Sequence, residues 1–434
     1  MAGWGRRRAP PGIQCGVLEG NNAVSRANGV AGDVVEMFSD RGVNWFRLRL
    51  FVDPSQSSDP FVKNDLDYTL ALAQRVKAVG GKLLLDFHYS DSWADPGKQT
   101  KPAAWANLNF TNLTTRVHDY TRDAVAAFKA AGVLPEMVQI GNEISNGMLW
   151  QDGYVWTGGS HSTGFNRLAS LLTAGINGAK AGAGPGDEPL VMIHHDKGAD
   201  WNTSRFFFDQ LRDRSVDFDV IGYSYYPKFH YNPNTGAGGI DALRSTLANT
   251  ADRYGKPVVL VETGFASRGQ QFEPTYEFPV SVAGQRQFLE AVIEAVQDVP
   301  HDLGRGVFWW YPEARPSSGL PVWEGGRYGW FDANGNLLPT IEALAGLNPP
   351  PTPGDYNGDG TVDGDDLAAW TAQLWQTGAG LPADGDGNGL VDGADFLLWQ
   401  RSLSGAAAQA TPEPAGSALL PAFCAAAAML RRRR

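Results

Sequence analysis

The chain has 434 residues, 43% hydrophobic and 19% charged, with a net charge of −11 at pH 7. That is room for one large globular domain plus appendages. The mildly acidic body argues against a nucleic-acid partner, and two cysteines, Cys15 and Cys424, make no disulfide framework.

Residues 1–17 are left unassigned. Arg6–Arg8 is a basic cluster with no apolar run behind it, so the start by itself reads as cytoplasmic. Gly12–Gly20 offers only a weak apolar stretch. The first strand of the domain that follows is either present there in degenerate form or lost to a mis-assigned or truncated start.

From Val43 to about Leu347, apolar runs alternate with amphipathic stretches. The predicted strands are Trp45–Phe51, Lys82–His88, Met137–Glu143, Pro189–His195, Phe218–Tyr226, Pro257–Thr263 and Gly306–Tyr311. Helical periodicity marks Leu66–Val79, Thr111–Ala131, Phe165–Ala181, Ile240–Tyr254 and Ser281–Val299. Such alternation with near-continuous apolar strands indicates a parallel sheet. Six of the runs end in polar or aromatic clusters, among them Arg47 and Arg49, His194 and His195, and Glu262. Barrel enzymes build their sites at the C-terminal ends of several strands, whereas an open sheet gathers its site at one switch point. The predicted fold is therefore α/β, a (β/α)₈ barrel over residues 18–347.

Glu143 ends the run MVQIGNE and Glu262 sits in VVLVETG, each a lone carboxylate at the end of a buried strand, where a charge is costly. For either alone a structural ion pair at the rim competes as an explanation; together they suit glycosidic bond cleavage by an acid and a nucleophile. Arg47 and Arg49 share a strand face and are predicted to point inward. A buried arginine keeps Glu262 ionised as a nucleophile, and Glu143 is predicted to have a raised pKa and act as acid/base. Asn142 is predicted to donate to a sugar hydroxyl. Asp86, His88, Tyr223 and Tyr225 are candidates to orient a carboxylate or a hydroxyl.

At these residues the sequence resembles glycoside hydrolase family 53, the arabinogalactan endo-β-1,4-galactanases. The matching stretches are GVNWFRLRLFVDP at Gly42–Pro54, LLLDFHYSDSWADPGKQTKPAAW at Leu83–Trp105 and VQIGNEISNGMLW at Val138–Trp150. IGYSYYP at Ile221–Pro227, VLVETGF at Val259–Phe265 and VFWWYPE at Val307–Glu313 add to them. The resemblance implies a retaining barrel enzyme with Glu143 as acid/base and Glu262 as nucleophile, no cofactor for catalysis, and endo cleavage of β-1,4-galactan. Trp93, Trp150, Trp309 and Trp310 are candidate platforms for the CH-rich faces of pyranose rings. Two departures stand out. The family's Gly-x-Asp-Val-Ser type first strand has no clear match, and no calcium ligands are assigned in the loop ARPSSGLPVWEGGRYGWFD, where some bacterial members hold that ion.

Beyond the barrel, residues 348–353 (NPPPTP) form a stiff proline-rich linker. Residues 354–403 hold nine Asp against one Arg, arranged as two acidic twelve-residue segments 29 residues apart. EF-hand-type loops place oxygens at positions 1, 3, 5, 9 and 12 with glycine at 6. The first segment supplies Asp355, Asn357, Asp359, Asp363 and Asp366 around Gly360, the second Asp384, Asp386, Asn388, Asp392 and Asp395 around Gly389. An apolar helical run follows each. This small all-α EF-hand-like module resembles a type I dockerin, which implies two calcium ions and either a cohesin-like partner or a purely structural role. Residues 404–434 resemble a PEP-CTERM sorting signal: Pro412–Pro414, the apolar Ala415–Leu430, then Arg431–Arg434. That implies export to the cell envelope or beyond, and a mis-assigned start reconciles it with the missing leader. Separately, the chain is expected to be a monomer. Two rival readings are another retaining barrel glycosidase, an endo-mannanase or endo-glucanase, and a catalytically dead calcium-dependent carbohydrate-binding protein. The first shares the two glutamates but lacks the Leu83–Trp105 run; the second is opposed by the presence of both glutamates and favoured by the missing first strand.

Overall fold

The predicted strand runs are buried almost from end to end, as happens when helices cover one face of a sheet and the other closes on itself. A computed structural model describes residues 11–14, 25–156, 161–270, 273–317, 321–344, 354–357, 361–378, 381–386 and 388–410. The linker at 348–353, Asp359, Gly360 and the sorting-signal motif lie outside these. The chain divides into two compact units, Arg8–Asn348 and one that contains Pro349–Arg434.

The first unit is a closed barrel of eight parallel strands. They are β1 (Pro11–Gln14), β2 (Trp45–Leu50), β3 (Lys82–Phe87), β4 (Met137–Ile140), β5 (Leu190–His195), β6 (Val220–Tyr225), β7 (Val258–Thr263) and β8 (Gly304–Trp309). β1 pairs with both β8 and β2, with Gly12 opposite Phe308 on one side and Trp45 on the other. The first strand thus falls ahead of the Leu18 boundary predicted for the barrel. It is four residues long and carries Pro and Gly, so it has little of the apolar signature of its neighbours.

Helices follow the strands in turn: α1 (Val34–Ser39), α2 (Leu66–Ala78), α3 (Phe110–Ala130), α4 (His161–Ala183), α5 (Trp201–Arg212), α6 (Ile240–Tyr254) and α7 (Val282–Gln297). Most begin at a side chain that accepts a free backbone N–H, as at Asp65, Asn109, Asp200 and Ser281. α1 and α5, one very short and one with only four buried positions, were not among the predicted helices. Alternation along β2 sorts its side chains: Phe46, Leu48 and Leu50 join the apolar layer under the helices, and Arg47 and Arg49 take the opposite, inward face.

The second unit carries α8 (Gly364–Gln373) and α9 (Gly393–Ala410). Its core is Tyr356, Val362, Ala383, Val391 and Trp399. The two halves lock reciprocally. Trp370 Nε1 donates to the Asp392 carbonyl at 2.9 Å, and Trp399 Nε1 donates to the Asp363 carbonyl at 2.7 Å. Among the described residues no helix is long and apolar enough to cross a membrane.

Candidate active site

The barrel interior near its C-terminal mouth is polar, and Arg47 sits at the centre of its ion pairs. Arg47 on β2 donates from Nη1 to Glu262 Oε2 at 2.9 Å and from Nη2 to Asn142 Oδ1 at 2.7 Å. The same Nη2 stands 2.9 Å from Asp86 Oδ2, and Nε donates to Gln139 Oε1 at 3.2 Å. Gln139 Nε2 in turn donates to Asp86 Oδ1 at 2.7 Å. Residues from β2, β3, β4 and β7 are thereby tied into one buried cluster. Breaking one member of such a cluster leaves an uncompensated charge, at a cost on the order of 3–5 kcal/mol.

Glu143 reaches the mouth by a kink. β4 stops at Ile140, Gly141 has φ 82° and Glu143 has φ 47°. A Cβ on Gly141 would come within 2.7 Å of Ile144 Cγ2, so the turn demands glycine. A left-handed glutamate is strained, and the strain puts Asn142 and Glu143 on the cleft wall together.

A carboxylate oxygen of Glu143 and one of Glu262 lie within 4.8 Å of each other. This is close to the separation of about 5–5.5 Å that direct attack on a sugar carbon needs. Their surroundings differ. Burial and then the charges of Glu262 and Asp196 push the Glu143 carboxyl well above its ordinary range. Burial also raises Glu262, but the Arg47 ion pair and a 2.9 Å hydrogen bond from the Tyr226 hydroxyl to Oε1 hold that rise down. Glu143 is therefore the carboxyl whose surroundings favour the protonated form more, and Glu262 the one whose partners favour the carboxylate.

The cleft above them has a volume of about 650 Å³ and is walled by Phe61, Trp93, Tyr226, Phe229, Trp310 and Trp323. Trp93 is fixed by donating from Nε1 to Asp59 Oδ2 at 2.8 Å. Among the described residues of the loop after β8, Arg327 and Glu324 pair at 3.0 Å, and Arg327 also pairs with Glu273.

Several predicted site residues stand elsewhere. Arg49 is fully buried behind the aromatic wall, 4.7 Å from the Trp93 ring centre and 5.2 Å from that of Tyr311, so it supports the platform without meeting the substrate. Asp86 and His88 are buried as a 3.1 Å pair that backs Arg47 and the Ala94 turn. Asn142 Nδ2 donates to the Ala94 carbonyl at 2.8 Å, leaving its second amide hydrogen for a ligand. Tyr223 and Tyr225 face the helices: the Tyr223 hydroxyl meets Thr250 at 2.9 Å, and Tyr225 stacks on Phe288. Trp309 is likewise buried, donating to the Tyr328 carbonyl, whereas its neighbour Trp310 lines the cleft. Trp150 is turned aside, donating from Nε1 to the Asn146 carbonyl at 3.1 Å.

In their place the structure brings in Ser224 and Tyr226, which share the inward parity of β6. A register shift after Tyr223 sets Ser224 opposite Glu262. Ser224 Oγ lies 2.6 Å from Glu143 Oε1, and His194 on β5 lies behind it. No composition or spacing signal picks out a serine or a glutamine in a strand. The parity of Tyr226 with the inward set was the one available hint.

Two opposed carboxyl groups of unequal basicity at the C-terminal mouth of a parallel eight-stranded barrel define a retaining glycoside hydrolase. Residues 15–344 match the model of glycosyl hydrolase family 53, and the chain belongs to that family. It is 39% identical over 340 residues to an uncharacterized protein of Niallia circulans, covering 74% of this chain and 88% of that one. It is 37% identical over 296 residues to arabinogalactan endo-beta-1,4-galactanase A of Aspergillus niger, covering 66% and 78%. Among solved structures it is similar to the GH53 catalytic domain of Ignisphaera aggregans, with a TM-score of 0.68 at 30% identity, covering 77% of this chain and 94% of that one. A structure of fungal beta-1,4-galactanases gives a TM-score of 0.67 at 30% identity, covering 77% and 98%.

Proposed function

We propose that this enzyme is an endo-acting β-1,4-galactanase that cleaves the (arabino)galactan side chains of pectin by double displacement. The observation that carries the chemistry is the Glu143–Glu262 pair, close enough for direct attack and set in unlike surroundings. Glu262 attacks the anomeric carbon while Glu143 protonates the leaving oxygen. Glu143, now a carboxylate, then takes a proton from the water that releases the glycosyl-enzyme. Arg47 and Tyr226 aim the nucleophile, and Trp93 and Trp310 offer faces on which pyranose rings stack. The choice of galactan rests on the relatives, two of which, from Aspergillus niger and Aspergillus terreus, carry arabinogalactan endo-beta-1,4-galactanase in their names. Unbranched β-1,4-galactan is expected to yield short galacto-oligosaccharides, resolved by chromatography. Equal or faster release from mannan or cellulose overturns the assignment.

The acidic repeat is read as a dockerin-like calcium module. Carboxylate oxygens of Asp384, Asp386 and Asp395 converge within 4.8 Å. Asp395 is buried, and both its oxygens accept backbone N–H groups, from Gly385 and Asp392, which curls the loop around the site. Asp366 repeats this with Asn357 and Asp363. Asp355, Asn357, Asp363 and Asp366 in one loop and Asp384, Asp386, Asn388, Asp392 and Asp395 in the other fit an oxygen-seeking cation. Calorimetry on the full chain is expected to show two calcium ions bound, with a gain of helical circular dichroism as like charges are neutralised. Identical spectra in calcium and in chelator count against it. The module then serves either a cohesin-like partner or the stability of the secreted monomer. Export is read from the Pro412–Pro414 motif and the terminal arginines.

A further inference from the structure

Behind Glu143 runs a line of hydrogen bonds whose protons can be counted. His194 Nδ1 lies 2.9 Å from Asn142 Oδ1, His194 Nε2 lies 2.8 Å from Ser224 Oγ, and Ser224 Oγ lies 2.6 Å from Glu143 Oε1. Asn142 Oδ1 already accepts from Arg47 at 2.7 Å and from Gln139 at 3.1 Å. It is therefore the amide oxygen and has no hydrogen to give. His194 is neutral, because burial and then the Arg47 charge push its pKa far down, and a neutral imidazole carries one hydrogen. Two facing lone pairs at 2.9 Å repel, so that hydrogen sits on Nδ1 and points at Asn142. Nε2 is then an acceptor and takes the hydroxyl hydrogen of Ser224. A serine has no second hydrogen, so its contact with Glu143 closes only when the carboxyl supplies the proton.

We propose that Asn142, His194 and Ser224 act as a positioning chain that holds Glu143 in its protonated form and aims that proton for the first step. This deepens the glycosidase reading and rests on Glu143 being the acid/base. The backbone N–H of Glu143 also lies near His194 Nδ1, but at 3.4 Å against 2.9 Å for Asn142 Oδ1, so the shorter contact takes the imidazole hydrogen. The other groups that face Glu143 are Glu262 on β7, Asp196 after β5, Arg47 on β2 and Tyr226 after β6. None of them is changed by substitution at 194 or 224.

The tautomer is read directly on the full-length enzyme labelled with ¹⁵N-histidine. Of the seven histidine signals, that of His194 is the one lost in His194→Phe. An Nδ1–H imidazole in the free enzyme is expected; an Nε2–H imidazole overturns the proposal. This reading needs no substrate, so it stands apart from the choice of galactan. The second measurement is the alkaline limb of kcat/KM in Ser224→Ala, which removes the acceptor of the carboxyl proton. The limb is expected to move to lower pH by about one unit, and Ser224→Thr is expected to bring it back. A serine that donated to an anionic carboxylate would move the limb upward on removal. That result, or an unmoved limb with only a lower rate, rejects the chain.

Discussion

Glu262→Ala is expected to lose galactan hydrolysis by roughly 10⁴-fold or more, since no glycosyl-enzyme can form without the nucleophile. Its carboxylate is the one held by Arg47 at 2.9 Å and by the Tyr226 hydroxyl at 2.9 Å. Removing it leaves Arg47 paired with Asp86 and opens a space the size of a carboxylate beneath the anomeric carbon. Azide added to this variant enters from that face. With an activated aryl β-galactoside the expected product is the α-galactosyl azide, identified by the anomeric coupling in its proton spectrum. Glu143 is untouched, so the leaving group is still protonated. Full galactan activity in this variant removes Glu262 from the mechanism.

Glu143→Ala is expected to fail differently, and the contrast separates the two roles. The nucleophile is intact, so the loss is confined to proton transfer, about 10²- to 10⁴-fold on galactan, whose leaving alcohol needs an acid. Aryl galactosides with acidic phenols are expected to form the glycosyl-enzyme almost as fast as before. That intermediate then accumulates, because no base activates water. Azide speeds turnover and gives the β-galactosyl azide by attack on the face where Glu143 stood. The pH profile gives a second check. In the wild type, kcat/KM falls as pH rises through the Glu143 pKa, which burial and the neighbouring charges of Glu262 and Asp196 have raised. That alkaline limb is expected to vanish in the variant, and an unaltered profile assigns the limb to another group.

Much of the architecture was legible in the chain itself. Seven of the eight barrel strands and five of the helices between them were read within a few residues, because a strand buried on both faces must be apolar throughout and a packed helix must show a 3.6-residue period. The two glutamates were legible for the complementary reason: a lone carboxylate at the end of such a run is costly unless it has a use. β1 was faint, since four residues with a proline and a glycine leave no periodicity to read.

The sequence by itself determined which strands carry chemistry and that Glu143 and Glu262 oppose each other across a barrel mouth. Only the tertiary structure decided which neighbours serve them. Tyr223, Tyr225 and Trp309 looked equivalent to Tyr226 and Trp310 as residues, but the direction in which each leaves its strand turns the first three away from the cleft and the other two into it. Ser224, His194 and Gln139 acquire their roles from contacts with residues far along the chain, as when Ser224 meets Glu143 from 81 positions away. Hydrophobic periodicity reports burial of a segment, but a hydrogen bond depends on the position and direction of two single atoms, and those are set only when the barrel closes.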